Sequence, residues 1–228
     1  MPSIAGLQKF TLQDFPGTPA AILFTRGCNL RCPYCHNAEL LGPGENLPEA
    51  EVWEFLEARR ERLAGVVITG GEPTLHAALP SFLTTLRGMG YRIKLDSNGM
   101  RPDVISSLLT TGLVDHLSLD WKLPGDRYRE LGGPVEAAGC LQACAASARA
   151  AGVTLEWRTT VAEPLLAAAD IRCIGAQLQA GDRWSIQQYR PCTGPFDSPQ
   201  SAQPLRPFDP QVLEQLVTEF SGLRITLR

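Results

Sequence analysis

Short apolar runs that alternate with longer stretches of helical period constrain this chain most, because they are the pattern of βα units laid around a parallel sheet. "AAILFT" (Ala20 to Thr25), "VVIT" (Val66 to Thr69), "YRIKLD" (Tyr91 to Asp96), "VDHLSLD" (Val114 to Asp120), "VTLEWRTTV" (Val153 to Val161) and "RWSIQQY" (Arg183 to Tyr189) read as successive strands. "LRITLR" at the end adds a candidate seventh. A helix is predicted from Pro48 to Leu63, since Pro48 suits a first turn and Val52, Phe55, Leu56 and Leu63 share one face. Its early Glu49 and Glu51 and late Arg59, Arg60 and Arg62 complement the helix dipole. The segment "RPCTGPFDSPQSAQPLRPFDP" lacks periodicity and reads as a loop or arm over about 191–210, before a last helix near Pro210 to Phe220.

The unusual stretches of the sequence fall at one kind of place. "RGCNLRCPYCHN", "GGEP", "DSNG", "DWK" and "QQYRP" all follow the C-terminal ends of predicted strands. Parallel α/β sheets and barrels gather their functional loops at that end. An enzyme with one mouth is the expectation.

Composition narrows the class further. A length of 228 residues suits a single domain spanning 1–228. With 21 Lys and Arg against 24 Asp and Glu, the net charge is -3 and no basic run marks a nucleic-acid footprint. The opening "MPSIAGLQKFTLQDFPG" is too polar and too broken by proline and glycine for a signal peptide, and no apolar run approaches the roughly 20 residues that span a bilayer. Seven cysteines without a leader fit reduced thiols or metal ligands, so a cytoplasmic protein without a membrane partner is expected.

Cys28, Cys32 and Cys35 sit within one loop at a C-x3-C-x2-C spacing. Such thiolates can converge on zinc or on an iron–sulfur cluster. A zinc site would need His36 as its fourth ligand, although adjacent residues such as Cys35 and His36 seldom point at one ion. A cluster with three protein thiolates would instead leave one iron open for chemistry.

"CNLRCPYC" resembles the cysteine signature of the radical S-adenosylmethionine enzymes, with Tyr34 at its aromatic position. "TGGEP" (Thr69 to Pro73) resembles their GGEP motif, and "GLQKFTLQDFPG", "CHN", "KLDSNG", "LDWK", "RTTV" and "QQYRP" resemble, in order, blocks of the glycyl-radical-enzyme activases. The likeness is greatest to anaerobic ribonucleoside-triphosphate reductase activating proteins. It implies a partial (β/α)6 barrel, a 4Fe-4S cluster on Cys28, Cys32 and Cys35, and S-adenosylmethionine chelated to the fourth iron. It also implies cofactor contacts from Tyr34, Gly70, Gly71, Glu72, Asp96, Ser97, Asp120 and Lys122, with Asp96 or Asp120 holding Lys122 in place. The implied partners are a glycyl radical enzyme, foremost anaerobic ribonucleotide reductase, and an electron donor such as reduced flavodoxin or ferredoxin. The implied reaction is one-electron cleavage of S-adenosylmethionine followed by hydrogen-atom abstraction from a glycine. A radical enzyme acting on a small molecule, such as a deazapurine precursor, shares the same parts. So far as zinc binding or electron transfer goes, a simpler module is the remaining alternative.

The chain departs from the activases after "RTTV", where "AEPLL" (Ala162 to Leu166) replaces a Pro-Gly turn, and no site residue is assigned there. Cys140 and Cys144, four apart on an alanine-rich helix, and Cys173 read as core. Cys192 follows "QYRP" at the expected mouth without an assigned role. His76 and His116 read as structural or surface groups, and Asn37 to Thr69 holds no cysteine for a second cluster.

Overall fold

The structure, a computed structural model, describes residues 1–191 and 204–228. Its centre is one eight-stranded sheet whose strands follow one another in chain order. The strands are β1 (Ile4–Thr11), β2 (Ala20–Thr25), β3 (Gly65–Gly70), β4 (Arg92–Ser97), β5 (His116–Asp120), β6 (Thr154–Val161), β7 (Arg183–Gln188) and β8 (Arg224–Leu227). The helices between them are α1 (Glu49–Arg59), α2 (Leu79–Gly88), α3 (Pro102–Thr110), α4 (Ala137–Ala150), α5 (Ala168–Gly175) and α6 (Pro210–Thr218). From β2 to β8 every pairing is parallel, which the intervening crossovers require. The sheet curls without closing, so the partial α/β barrel expected from the motifs is the observed architecture.

Alternation along the strands sorts apolar side chains to the outside of the curl and polar ones to the inside. Ile93 and Leu95 on β4, Leu117 and Leu119 on β5, and Trp157 on β6 belong to the main core with Leu83, Leu86, Leu108 and Leu141 from the helices. Each such fully buried side chain contributes roughly 1.5–3 kcal/mol of transfer free energy. Inside, Lys94, Asp96, Ser118, Glu156 and Ser185 are buried. At the N-terminal ends of the strands Phe15 packs with Ile22 and Val67, meets the His116 ring edge-on at 5.9 Å, and carries the Arg92 guanidinium over its face at 5.2 Å. This cluster fills the N-terminal end of the curl beside β2 and β3.

Two elements differ from the sequence-based expectation. β1 pairs antiparallel with β2 and is an edge strand that periodicity misses, since "IAGLQKFT" does not alternate cleanly and its middle is half-exposed or exposed. Helix α1 ends at Arg59, where the Arg60 amide donates to the Glu57 carbonyl at 3.3 Å and the Arg62 amide to the Arg59 carbonyl at 2.8 Å, three-residue turns that tighten the chain short of Leu63. The candidate seventh strand exists as β8, and α6 begins at Pro210 as expected. Cys192 and most of the predicted arm lie outside the described residues. No helix among the described residues is long and apolar enough to cross a membrane.

Candidate active site

The cysteine loop leaves β2 and is fastened by its own backbone. The Gly27 amide donates to the Leu40 carbonyl at 2.7 Å, Arg31 to Leu131 at 2.9 Å, and Cys35 to Cys32 at 3.1 Å. Arg26 adds side-chain bonds to Asn46 and to the Glu39 carbonyl, both at 3.1 Å. Cys28, Cys32 and Cys35 are half-buried and line one cavity of about 390 Å³. Burial pushes all three thiols up, Cys32 to about 11, and the Lys122 ammonium opposes this at each of them. The Cys28 sulfur also accepts the Leu30 amide at 3.4 Å and faces the Asn98 amide nitrogen at 3.8 Å.

The turn after β3 presses against this loop. Gly71 donates to the Thr25 carbonyl at 2.8 Å and Glu72 to the Gly27 carbonyl at 2.7 Å. A Cβ on Gly71 would lie 2.0 Å from the Gly27 oxygen, so glycine is required by the close approach of two backbones. The Glu72 side chain is buried, and its carboxylate accepts from the Thr74 amide and hydroxyl at 3.1 and 2.6 Å, the Ser97 hydroxyl at 2.8 Å and the Asn98 amide at 2.7 Å. It thereby ties the turn after β3 to the turn after β4. Burial pushes its carboxyl above the usual range despite these donors.

The floor of the cavity is a row of alternating charges. Lys94 donates to Asp96 Oδ1, Arg158 donates from Nη1 to Asp96 Oδ2 and from Nε to Asp120 Oδ1, both at 2.7 Å, and Lys122 donates to Asp120 Oδ2 at 3.1 Å. Burial raises the Asp96 and Asp120 carboxyls, but Arg158 with Lys94 or Lys122 overrides it and holds both below the ordinary range. Deeper in, Glu156 accepts from Ser118 at 3.1 Å. Against the burial that pushes it up, neighbouring His116, Lys94, Arg158 and Arg228 hold the Glu156 carboxyl down to about 2.

These depressed carboxyls make a pH prediction. Each contributes stability that is complete above its unfolded value and is lost as pH falls toward its folded one. The urea midpoint is therefore expected to drop as pH is lowered from about 5 to about 2, and Glu156→Gln should flatten part of that slope. A midpoint independent of pH over this range would refute the electrostatic account.

Every residue the motifs single out, Cys28, Cys32, Tyr34, Cys35, Gly70, Gly71, Glu72, Asp96, Ser97, Asp120 and Lys122, borders this one cavity. The expectation that Cys140 and Cys173 are core residues is corrected, and other expectations become specific. Asp120 holds Lys122, whereas Asp96 is occupied by Lys94 and Arg158. Cys173 is exposed rather than core, because α5 buries Ile171 and Ile174 on its other side. Cys140 is half-buried, and only Cys144 of that pair is fully enclosed. His116 is an interior residue beside Glu156, while His76 bonds the Arg26 carbonyl at 2.9 Å. In the "AEPLL" segment Ala162 packs against Tyr34 and Tyr189, and Glu163 pairs with Arg206 at 2.9 Å, so none of it borders the cavity. Arg158, Asn98, Thr160 and Gln187 line the cavity as well, and the motifs had not marked them as site residues.

The fourth ligand that a zinc site would need is engaged elsewhere, since His36 Nε2 sits 3.2 Å from the Arg190 carbonyl. Cys28, Cys32 and Cys35 border one cavity, and three thiols in one loop are the donor set of an iron–sulfur cluster as well. The buried Tyr34 hydroxyl has no hydrogen-bond partner among the described residues, leaving a polar atom for a ligand in the same cavity.

An open parallel barrel with a thiol loop and a charged floor at its C-terminal mouth defines an α/β enzyme that works on a soft metal centre and a polar cofactor. The radical SAM superfamily profile matches residues 22–161, and the chain belongs to that superfamily, whose enzymes use S-adenosylmethionine and an iron–sulfur cluster. A provisionally named glycyl-radical enzyme activating enzyme of Methanocaldococcus jannaschii is 29% identical over 197 residues, which cover 82% of this chain and 80% of that protein. A 7-carboxy-7-deazaguanine synthase of Aquifex aeolicus is 34% identical over 84 residues, covering 36% of this chain and 37% of the synthase. The crystal structure of a radical SAM methyltransferase from Sphaerobacter thermophilus superposes with a TM-score of 0.71 over 94% of this chain and 67% of that one, at 17% identity, which establishes the fold.

Proposed function

We propose that this protein is a glycyl-radical-enzyme activase that acts on an anaerobic ribonucleoside-triphosphate reductase, in the cytoplasm, with a reduced flavodoxin or ferredoxin as electron donor. The observation that carries this reading is the extent of the likeness: 82% of the chain matches the Methanocaldococcus activating enzyme, against 36% for the Aquifex synthase. In this reading Cys28, Cys32 and Cys35 hold a 4Fe-4S cluster, and its chemistry is one-electron cleavage of the sulfonium C–S bond of S-adenosylmethionine, with transfer of a hydrogen atom from the acceptor glycine. Lys122 pairs with the methionine carboxylate as a compact cation. The GGEP turn fixes the cysteine loop through Gly27, and Glu72 keeps Ser97 and Asn98 at the rim. The incomplete curl of the sheet leaves a side through which a polypeptide loop can reach the cavity.

The test is anaerobic. Reduced protein, S-adenosylmethionine and the reductase are mixed, and the paramagnetic resonance spectrum is recorded together with a count of 5'-deoxyadenosine. A glycyl doublet that matches the nucleoside count is expected. Efficient turnover of a small deazapurine precursor, with no doublet on any glycyl-radical partner, would transfer the protein to the synthase reading.

A further inference from the structure

Arg158 belongs to none of the motif positions assigned to the cofactor, yet it is the residue on which the cavity floor is built. It rises from β6 and joins carboxylates on two other strands, Asp96 of β4 and Asp120 of β5, through two 2.7 Å bonds from different nitrogens. The remaining oxygen of each carboxylate is taken by a lysine, Lys94 for Asp96 and Lys122 for Asp120. Three cations and two anions thus alternate along the row, and Glu156 lies beside Lys94 and Arg158 as a further anion at its inner end.

Burying such a row is a poor way to gain stability, since desolvation offsets most of the attraction and apolar side chains of similar volume would serve as well. Its use must lie in what it presents. The two ends differ: Lys94 is only 2% exposed beneath Asp96, whereas Lys122 borders the cavity that holds the cysteines. The lysine that a ligand can meet is therefore Lys122, whose ammonium donates, among the described residues, to Asp120 alone and lies near the thiol of Cys32 and the ring of Tyr34.

We propose that Arg158 is the positioning residue for the carboxylate end of the S-adenosylmethionine site, acting through Asp120 to keep the Lys122 ammonium free for the ligand. The proposal rests on the functional reading above. Arg158 satisfies Asp120 Oδ1, so Lys122 has only one carboxylate oxygen to serve and retains donors for a second anion. Without the guanidinium, Asp120 carries an unpaired oxygen and draws Lys122 onto itself. A lysine at 158 cannot replace it, because one compact ammonium does not span two carboxylates as a planar fork does.

Cluster-loaded protein kept oxidised, so that no turnover occurs, is titrated with S-adenosylmethionine and with decarboxylated S-adenosylmethionine, which keeps the sulfonium, amine and adenosine. Arg158→Lys is expected to weaken the first ligand about tenfold and the second less than about twofold, the loss of one charge-assisted contact. Lys122→Ala should show the same selectivity, and Arg158→Lys added to it should cost less than about twofold more. Iron content and melting temperature are read in parallel, and Arg158→Gln, which keeps neutral donors, serves if the lysine variant fails to hold its cluster. Equal loss for both ligands, or losses that add in the double variant, would overturn the positioning role while leaving the functional reading intact. Failure of the wild-type protein to bind either ligand would overturn both.

Discussion

Alanine at Cys28, Cys32 or Cys35, one at a time, is expected to abolish the iron–sulfur absorbance and resonance signal of the reconstituted protein and, with it, all cleavage of S-adenosylmethionine. The loss should be complete rather than graded, because in the proposed function each thiolate would hold a separate corner of the cluster and no other cysteine among the described residues borders the cavity. Cys140→Ala and Cys173→Ala are the controls, one half-buried on α4 and one exposed on α5, and both should keep full iron and sulfide content. Iron and sulfide analysis after anaerobic reconstitution decides the matter. Full cluster content in a variant lacking all three loop cysteines would sink the assignment.

The second large effect is expected from a single methyl group. Gly71→Ala would place a Cβ 2.0 Å from the Gly27 oxygen and 2.7 Å from its carbonyl carbon, neither of which is the tip of a flexible side chain. The clash must separate the GGEP turn from the cysteine loop and break the Glu72 to Gly27 hydrogen bond. Overpacking and the lost bond together should cost roughly 2–5 kcal/mol, seen as a lower urea midpoint, with cluster loading reduced as the loop shifts. Gly88→Ala is the contrast, since the space around Gly88 is open and alanine suits a helix end. Equal midpoints for the two variants would show that the close approach is not a constraint.

Both predictions rest on features that reach different distances into the sequence. The cysteine loop is legible because its spacing is local, and the strands from β2 to β7 are legible because each is an uninterrupted apolar or alternating run before a turn. Edge strand β1 is not, since its middle faces solvent and carries Gln8 and Lys9 where a core strand would show apolar residues. Arg158 was visible only as the first letter of "RTTV", and its significance needs partners 38 and 62 residues away whose proximity exists only once three strands lie side by side. Glu72 illustrates the same limit. The motif marks it as important, but nothing in four letters reveals that its carboxylate spends itself on Thr74, Ser97 and Asn98. Cys173 shows the converse, as a residue type that favours interiors sits on the outward side of a short helix.

The backbone bonds that fasten the cysteine loop bear on how the protein is loaded. Gly27, Arg31 and Cys35 fix the loop to Leu40, Leu131 and Cys32 through contacts within the polypeptide alone. The conformational entropy of ordering these residues is thus removed when the barrel folds, and assembly of a cluster does not have to supply it. Metal uptake should then resemble binding to a rigid receptor, with little change in heat capacity or far-ultraviolet dichroism, instead of the coupled folding seen where a metal organises its own site. Repeated loss and repair of the cluster would leave the scaffold folded between cycles.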